Sequence, residues 1–126
     1  MHEMGIASSV LAAVRTEAAR YPGCVPQTVG LRVGELTAVD ADALQFCFEA
    51  LIKDTDLASL KLEIELCPRR HRCRSCGREF VVRNYEWKCS CGSEMESECI
   101  AGDELDLAYI EVEEHEPSTV GEKSSQ

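Results

Sequence analysis

Four cysteines in one short window constrain the fold of this chain more than any other feature of its sequence. They form two close pairs, Cys73 with Cys76 and Cys89 with Cys91, and a strand-like run separates the pairs. Two thiol pairs at hairpin spacing are typical of a tetrahedral zinc site in which four thiolates close the coordination shell. Such a site is structural, because it leaves no position open for water or substrate. The spacing therefore predicts that Zn(II) folds part of the chain.

The second cysteine pair leaves the complete ligand set open. It reads Cys-x-Cys, which is one residue shorter than the usual zinc knuckle. Cys67, His71 and Cys99 lie near the pairs in sequence and are candidate substitutes for Cys89 or Cys91. Buried free cysteines, which behave as small apolar residues, are the alternative to metal ligands. That alternative is disfavoured here, because the four cysteines lie among charged residues and glycines rather than in an apolar pattern.

The composition of the chain limits the cellular compartment in which it works and the classes of partner that it binds. No apolar run is long enough to span a membrane, and no signal peptide is expected at the N-terminus. Eight cysteines without an export signal favour a reducing compartment, the cytoplasm, where close thiols bind metals more often than they form disulfides. The net charge of -10 disfavours nucleic acid as a partner, because its phosphates would be repelled.

Positive charge is concentrated around the cysteine pairs. Seven of the 13 basic residues fall between Arg69 and Lys88, whereas eleven of the 23 acidic residues lie at or after Glu94. Two interpretations of this basic cluster stay open: it contacts an acidic partner, or it solvates the module and offsets the charge of the thiolates. The arginines concerned are Arg69, Arg70, Arg72, Arg74 and Arg78.

Two other classes of function are compatible with a zinc ribbon. A nucleic-acid-binding accessory protein is disfavoured by the net charge and by the few ribbon aromatics, which are Phe80, Tyr85 and Trp87. A hydrolytic zinc enzyme is disfavoured because a four-thiolate site has no open position for water. The chain is therefore predicted not to be an enzyme.

Hydrophobic periodicity predicts two helices and three strands. Residues 5–20 have helical spacing, and Asp40 is expected to cap a second helix whose apolar stripe runs from Leu44 to Ile52. Strands are predicted over residues 28–36, 60–66 and 105–113. The first few residues are expected to add an edge strand, and the strands that flank the cysteine module are expected to pair with each other.

These elements predict an α+β fold. We expect a small two-layer α/β domain, with a three-stranded sheet and two helices, into which a zinc-ribbon-like four-cysteine module is inserted. The α/β domain comprises residues 1–67 and 104–115, and the module comprises residues 68–103. Residues 116–126 are polar and are expected to be disordered.

The first three residues place an amine, an imidazole and a carboxylate side by side. Met1 is expected to be retained, because the following residue, His2, is bulky, and Glu3 supplies the carboxylate. Nitrogen-rich donor sets that include backbone amides suit Ni(II) or Cu(II). Taken alone the motif is weak, since a histidine at position two is common by chance and chain ends are loose.

Several segments together change that interpretation, because they occur in one order. They are Met1-His2-Glu3-Met4, Val33-Gly34-Glu35-Leu36, Ala43-Leu44-Gln45-Phe46-Cys47-Phe48, the two cysteine pairs, the Gly92-Ser93 that follows the second pair, and Ile110-Glu111-Val112-Glu113. The combination resembles the HypA/HybF family of nickel metallochaperones over nearly the full length. Members of this family assist insertion of nickel into the large subunit of [NiFe]-hydrogenase, and in some organisms they also serve urease.

The resemblance implies two metal sites. Ni(II) would be bound by His2 with backbone nitrogens at the N-terminus, including that of Met1, and Glu3 is implicated in nickel coordination or partner contact. Zn(II) would be held by the four cysteines of the two pairs. The family usually has Cys-x-x-Cys at the second pair, so the shortened pair of this chain departs from the pattern. Implied partners are the HypB GTPase, the hydrogenase large subunit, urease maturation proteins and a second copy of the chain.

Overall fold

The computed structural model describes residues 2–83, 88–92 and 97–114. Its elements confirm the predicted α+β fold class, with two helices and two three-stranded sheets. The predicted polar tail over residues 116–126 lies outside the described residues. In chain order the elements are α1 (Glu3–Ala18), β1 (Cys24–Gly34), a 3-10 helix (Glu35–Thr37), α2 (Ala41–Ile52), β2 (Lys61–Cys67), β3 (Arg70–Cys73), β4 (Glu79–Val81), β5 (Ser97–Ala101) and β6 (Leu105–Glu114).

Helix α1 starts at the extreme N-terminus of the chain. It begins at Glu3, and the carbonyl of His2 accepts the Ile6 N–H at 3.2 Å. The acidic Glu3 in the first turn favours this start, and the alanines spread along the segment favour the helix itself. The expectation of an N-terminal edge strand is therefore wrong. The buried positions of α1 are Ile6, Ala7, Val10 and Val14, which share one helical face.

Helix α2 begins where its predicted cap lies. One oxygen, Oδ1 of Asp40, accepts the backbone N–H groups of Asp42 at 3.0 Å and Ala43 at 3.1 Å. The buried residues Leu44, Phe48 and Ile52 recur at helical spacing, and α2 contacts α1.

The larger sheet has the order β2-β1-β6. The expectation that the strands flanking the cysteine module pair with each other is therefore wrong, because β1 lies between them. Most of β1 from Thr28 to Gly34 is buried, on both faces of the strand, whereas β2 and β6 keep many exposed positions. The most buried strand therefore lies at the centre of the sheet, and the more exposed strands lie at its edges.

The second sheet lies in the cysteine module and has the order β4-β3-β5. Both neighbours run antiparallel to β3, with His71 opposite Phe80 on one side and Cys99 on the other. The segments are short and rich in charge, which is why hydrophobic alternation did not reveal them.

The chain divides into two compact units. Unit 1 comprises Met1–Leu31, Asp40–Glu63 and Leu107–Gln126, and unit 2 comprises Arg32–Val39 and Ile64–Asp106. The domain limits that the sequence suggested, residues 1–67 with 104–115 and residues 68–103, stay a prediction. Among the described residues, no helix combines the length and the apolar character that crossing a membrane requires.

Candidate metal centres

The first cysteine loop directs backbone amides at a buried sulfur. Cys73 ends β3, and its Sγ accepts the N–H of Ser75 at 3.4 Å and that of Cys76 at 3.5 Å. The N–H of Gly77 donates to the Cys73 carbonyl at 2.9 Å, and Gly77 has a φ of 78°, a conformation that glycine adopts without steric cost. The loop therefore presents two thiols and offsets negative charge on one of them.

The second cysteine loop is a tighter version of the first. Cys89 is buried, and its Sγ accepts the N–H of Cys91 at 3.5 Å. Gly92 donates to the Cys89 carbonyl at 3.1 Å and has a φ of 85°. The shorter turn therefore still closes, and like the first loop it ends on a glycine with positive φ.

The four thiols converge on one point. The Sγ atoms of Cys73, Cys76, Cys89 and Cys91 all lie within 4.8 Å of one another. Two of the separations join the loops: Cys73 to Cys91 is 3.7 Å, and Cys76 to Cys89 is 3.6 Å. A tetrahedral ion with Zn–S bonds of about 2.3 Å would separate its sulfurs by about 3.8 Å. The donor set and its spacing therefore fit Zn(II).

The protonation chemistry of Cys73 also suits a metal ligand. The backbone N–H groups of Cys76 and Ser75 lower the pKa of the Cys73 thiol to about 6, although burial acts in the opposite direction. Metals bind the thiolate rather than the thiol, so a lowered pKa reduces the proton competition at neutral pH.

The three candidate substitutes lie elsewhere. Among the described residues, the four cysteines are the group whose ligand atoms converge, and Cys67, His71 and Cys99 are not part of it. Burial raises the pKa of the Cys67 thiol, which favours its protonated form. The Sγ of Cys99 donates to the carbonyl of Ala101 at 3.5 Å. The structure thus brings together the cysteines of the two pairs, including the shortened one.

His71 is engaged inside unit 2. It is buried, its Nε2 accepts from Nε of Arg69 at 2.9 Å, and its Nδ1 lies 2.6 Å from Oγ of Ser97. Burial and then the charge of Arg69 lower the pKa of His71, so the neutral imidazole is favoured. Both ring nitrogens therefore have partners within the protein rather than in the thiol cluster.

Most of the arginines around the thiols have internal partners. Arg70 and Arg72 each bind one oxygen of Glu79 at 3.0 Å, and these contacts lower the pKa of the Glu79 carboxyl. Arg78 donates to the hydroxyl of Ser90 at 2.8 Å. Sequence reasoning did not anticipate these pairings. They favour the second interpretation, in which the basic cluster solvates the module and offsets the charge of the thiolates, over contact with an acidic partner.

The N-terminal donors lie in unit 1. His2 is exposed and precedes the first turn of α1, whereas Met1 lies outside the described residues. Oε2 of Glu3 accepts the backbone N–H of Asp40 at 3.0 Å. That N–H, followed by the residue's own N–H, lowers the pKa of the Glu3 carboxyl.

Asp40 is the residue of this region that sequence reasoning assigned only as a helix cap. The Glu3 contact places the start of α1 beside the start of α2. No sequence signal joins positions that lie 37 residues apart. Among the described residues, the ligand atoms of His2, Glu3 and Asp40 do not form a convergent group like that of the four thiols.

The fold and the convergent thiols define a small α+β protein with a cluster of the kind that holds a metal ion. The profile of the family described as "Hydrogenase/urease nickel incorporation, metallochaperone, hypA" matches residues 1–112. The chain belongs to this family.

Similar proteins agree with that assignment. The hydrogenase maturation factor HypA of Chlorobaculum parvum is 40% identical over 114 residues, which are 90% of this chain and 100% of that protein. The HypA of Desulfatibacillum aliphaticivorans is 36% identical over 126 residues, which are 99% of this chain and 97% of that protein.

A solution structure of the nickel metallochaperone HypA from Helicobacter pylori has a TM-score of 0.58 at 21% identity. It covers 88% of this chain and 97% of its own. At this identity, the likeness bears on the fold alone.

Proposed function

We propose that the protein is a nickel metallochaperone that binds Ni(II) at its N-terminus and delivers it for maturation of [NiFe]-hydrogenase, with urease as a second candidate target. The ligands are His2, the backbone nitrogens at the N-terminus including that of Met1, and Glu3. The observation that carries the proposal is membership of a nickel-incorporation family in a chain whose His2 is exposed at the start of α1. The contact of Glu3 with Asp40 supports it, because it anchors the residue that follows the imidazole.

An exposed N-terminal site suits a carrier rather than a store. A carrier needs moderate affinity, because an ion that is held too tightly is not released. Ordering a chain end around the ion costs conformational entropy and so lowers the affinity.

The thiol centre has a separate, structural role in this proposal. Cys73, Cys76, Cys89 and Cys91 would hold Zn(II), whose binding supplies folding free energy to the module. Four thiolates fill the tetrahedron, so the site leaves no position for water or substrate. A structural zinc and a transported nickel are consistent with a protein that is not an enzyme.

The proposed partners follow from the family. They are the HypB GTPase, the large subunit of [NiFe]-hydrogenase, urease maturation proteins and a second copy of the chain in a homodimer. We place this work in the cytoplasm, because eight cysteines, four of which converge as free thiols, suit a reducing compartment.

A calorimetric nickel titration tests the proposed site. Zinc-loaded protein without a tag is compared with His2→Ala and with His115→Ala, a matched histidine at the other end of the chain. A further variant carries two extra residues before Met1, which displace the terminal amine. Loss of binding in His2→Ala and in the extended chain, with binding retained in His115→Ala, is the expected result. Equal binding in all four proteins would refute the N-terminal site.

A further inference from the structure

Among the described residues, the first sulfur of each cysteine loop accepts a different number of backbone amides: two at Cys73 and one at Cys89. In the first loop, the amides of Ser75 and Cys76, two and three residues after Cys73, point at its Sγ. The next amide, that of Gly77, donates to the Cys73 carbonyl and closes the turn. A Cys-x-x-Cys loop therefore places two amides at sulfur before the turn closes.

The shortened loop closes one amide earlier. The amide of Cys91, two residues after Cys89, points at its Sγ, but the following amide, that of Gly92, already donates to the Cys89 carbonyl. The missing residue thus removes one amide donor from the end of the loop. Hydrogen bonds from neighbouring groups orient metal ligands and offset their charge, so Cys89 has one orienting amide from its own loop where Cys73 has two.

Arg78 joins the two loops at this point. Its carbonyl accepts the N–H of Cys73 at 2.8 Å, so its backbone is attached to a ligand of the first pair. Its guanidinium Nη1 donates to Oγ of Ser90 at 2.8 Å, and Ser90 is the single residue between Cys89 and Cys91. The residue therefore bonds to the first loop through its backbone and to the second through its side chain.

The charge of Arg78 suits this position. Four thiolates and one Zn(II) carry a net charge of about −2, which a nearby guanidinium offsets. The guanidinium of arginine is planar and its N–H groups point in fixed directions. It therefore loses little conformational freedom when it donates a hydrogen bond to a short side chain. Ser90 supplies the acceptor from a side chain that fits a tight turn.

We propose that the Arg78–Ser90 hydrogen bond is a clasp that holds the shortened loop against the first loop and positions Cys89 and Cys91 for the metal. The clasp replaces an orienting contact that the missing residue would have supplied. Arg78 is a positioning residue and does not touch the ion. The inference rests on the proposed zinc centre.

The test is the rate at which the full-length, zinc-loaded protein transfers Zn(II) to an excess of a chromogenic chelator. Arg78→Met removes the donor and keeps the stem, Ser90→Ala removes the acceptor, and the double variant removes both. Each single variant is expected to release zinc about three- to tenfold faster, which is the range for one hydrogen bond. The double variant should release zinc no faster than either single one, because the bond can be lost only once.

Arg74→Met is the matched control. Arg74 is an exposed arginine of the first loop that carries the same charge close to the same thiols. Its removal is expected to leave the zinc release rate within twofold of the wild-type rate. If Arg74→Met and Arg78→Met act equally while Ser90→Ala does nothing, general charge rather than the clasp holds the metal, and the inference is overturned.

Thiol alkylation followed by mass spectrometry adds a readout that locates the effect. In Arg78→Met and Ser90→Ala, Cys89 and Cys91 should be labelled before Cys73 and Cys76, whereas the wild type labels slowly at all four. Uniform labelling would overturn the clasp. If the wild-type protein holds one zinc and the variants release zinc at the wild-type rate, the clasp alone is refuted. Wild-type protein that holds no zinc refutes the zinc centre and the clasp together.

Discussion

Unit 1 and the cysteine module of unit 2, residues 68–103, bury different kinds of side chain. Unit 1 buries aliphatic and aromatic residues from both helices and from β1, including Val14, Leu44 and Phe48. Within residues 68–83, 88–92 and 97–103 of unit 2, the buried side chains are those of His71, Cys73, Val82 and Cys89. Two of those four are thiols of the candidate metal centre.

That contrast shows two ways to stabilise a small fold. Burial of apolar surface contributes about 25 cal/mol per Å², so unit 1 can be held by its own core. The described residues of the module bury few apolar groups, and for a segment this short a bound metal is the usual substitute for a core. The first two predictions below test whether the two units respond separately, and the next two test contacts within unit 1.

Removal of the metal has the largest expected effect. A structural zinc contributes on the order of 10 kcal/mol in small zinc peptides, so chelation should unfold residues 68–103 while the core of unit 1 stays folded. Hydrogen exchange measured by mass spectrometry should show lost protection in β3 and β5 and retained protection in α1 and α2. Unchanged protection of β3 and β5 would mean that the module has a sufficient core without metal.

Truncation of Phe48 tests the opposite unit. Its side chain is 0% exposed, and Phe48→Ala should lower the free energy of unfolding of unit 1 by about 3–5 kcal/mol. Phe46 lies on the same helix and is 73% exposed, so Phe46→Ala should change the free energy of unfolding by less than about 0.5 kcal/mol. Denaturant unfolding followed by circular dichroism measures both. Equal effects of the two changes would contradict the assigned core, and the zinc content should be unchanged in both variants.

Loss of the α2 cap has a smaller expected effect. Asp40→Ala removes the acceptor for two backbone N–H groups and should cost about 0.5–2 kcal/mol. Asp40→Asn keeps an acceptor and should restore most of that stability. The same denaturant experiment applies, and an alanine variant as stable as the asparagine variant would show that the cap contributes little.

Acidification should produce the smallest effect, at Glu3. The Asp40 N–H lowers the pKa of this carboxyl, so its contribution to stability is present above the ordinary glutamate value and is lost as the pH falls through the lowered value. A titration by NMR should find the Glu3 carboxyl and the Asp40 amide changing together, below the ordinary glutamate range. Glu3→Gln should abolish the shift at Asp40. A Glu3 carboxyl that titrates normally would argue that the contact is absent in solution.

The parts of the fold that follow from local pattern could be predicted from the sequence. The thiol cluster is one, because paired cysteines two or three residues apart, joined by a hairpin, bring their sulfurs together. The cap at Asp40 and the buried stripe of α2 are others, since capping and periodicity act within a few residues.

The parts that depend on distant partners could not be predicted. The order β2-β1-β6 depends on which strands pair across long stretches of sequence, and alternation within a single strand does not report pairing. The start of α1 at Glu3 was missed because the first apolar residue of its buried face is Ile6. Contacts such as Glu3 to Asp40 and Arg78 to Ser90 join side chains and loops whose proximity only the folded chain defines.

Close packing at Gly34 is a further example. Its N–H donates to the carbonyl of Glu104 at 2.6 Å, and a side-chain carbon built there would collide with the carbonyl of Gly102. A glycine inside a strand suggests either a bulge or a close approach of backbone, and only the structure distinguishes them.

The most direct test of this account counts both metals by elemental analysis in the same preparations, after exposure to Zn(II) and Ni(II) and removal of loosely bound ions. Wild type, His2→Ala and Cys73→Ser should be compared. The account predicts one zinc and one nickel in the wild type, loss of nickel alone in His2→Ala, and loss of zinc in Cys73→Ser with nickel retained. Nickel that disappears with Cys73 and persists without His2 would place the transported ion at the thiols and contradict the account.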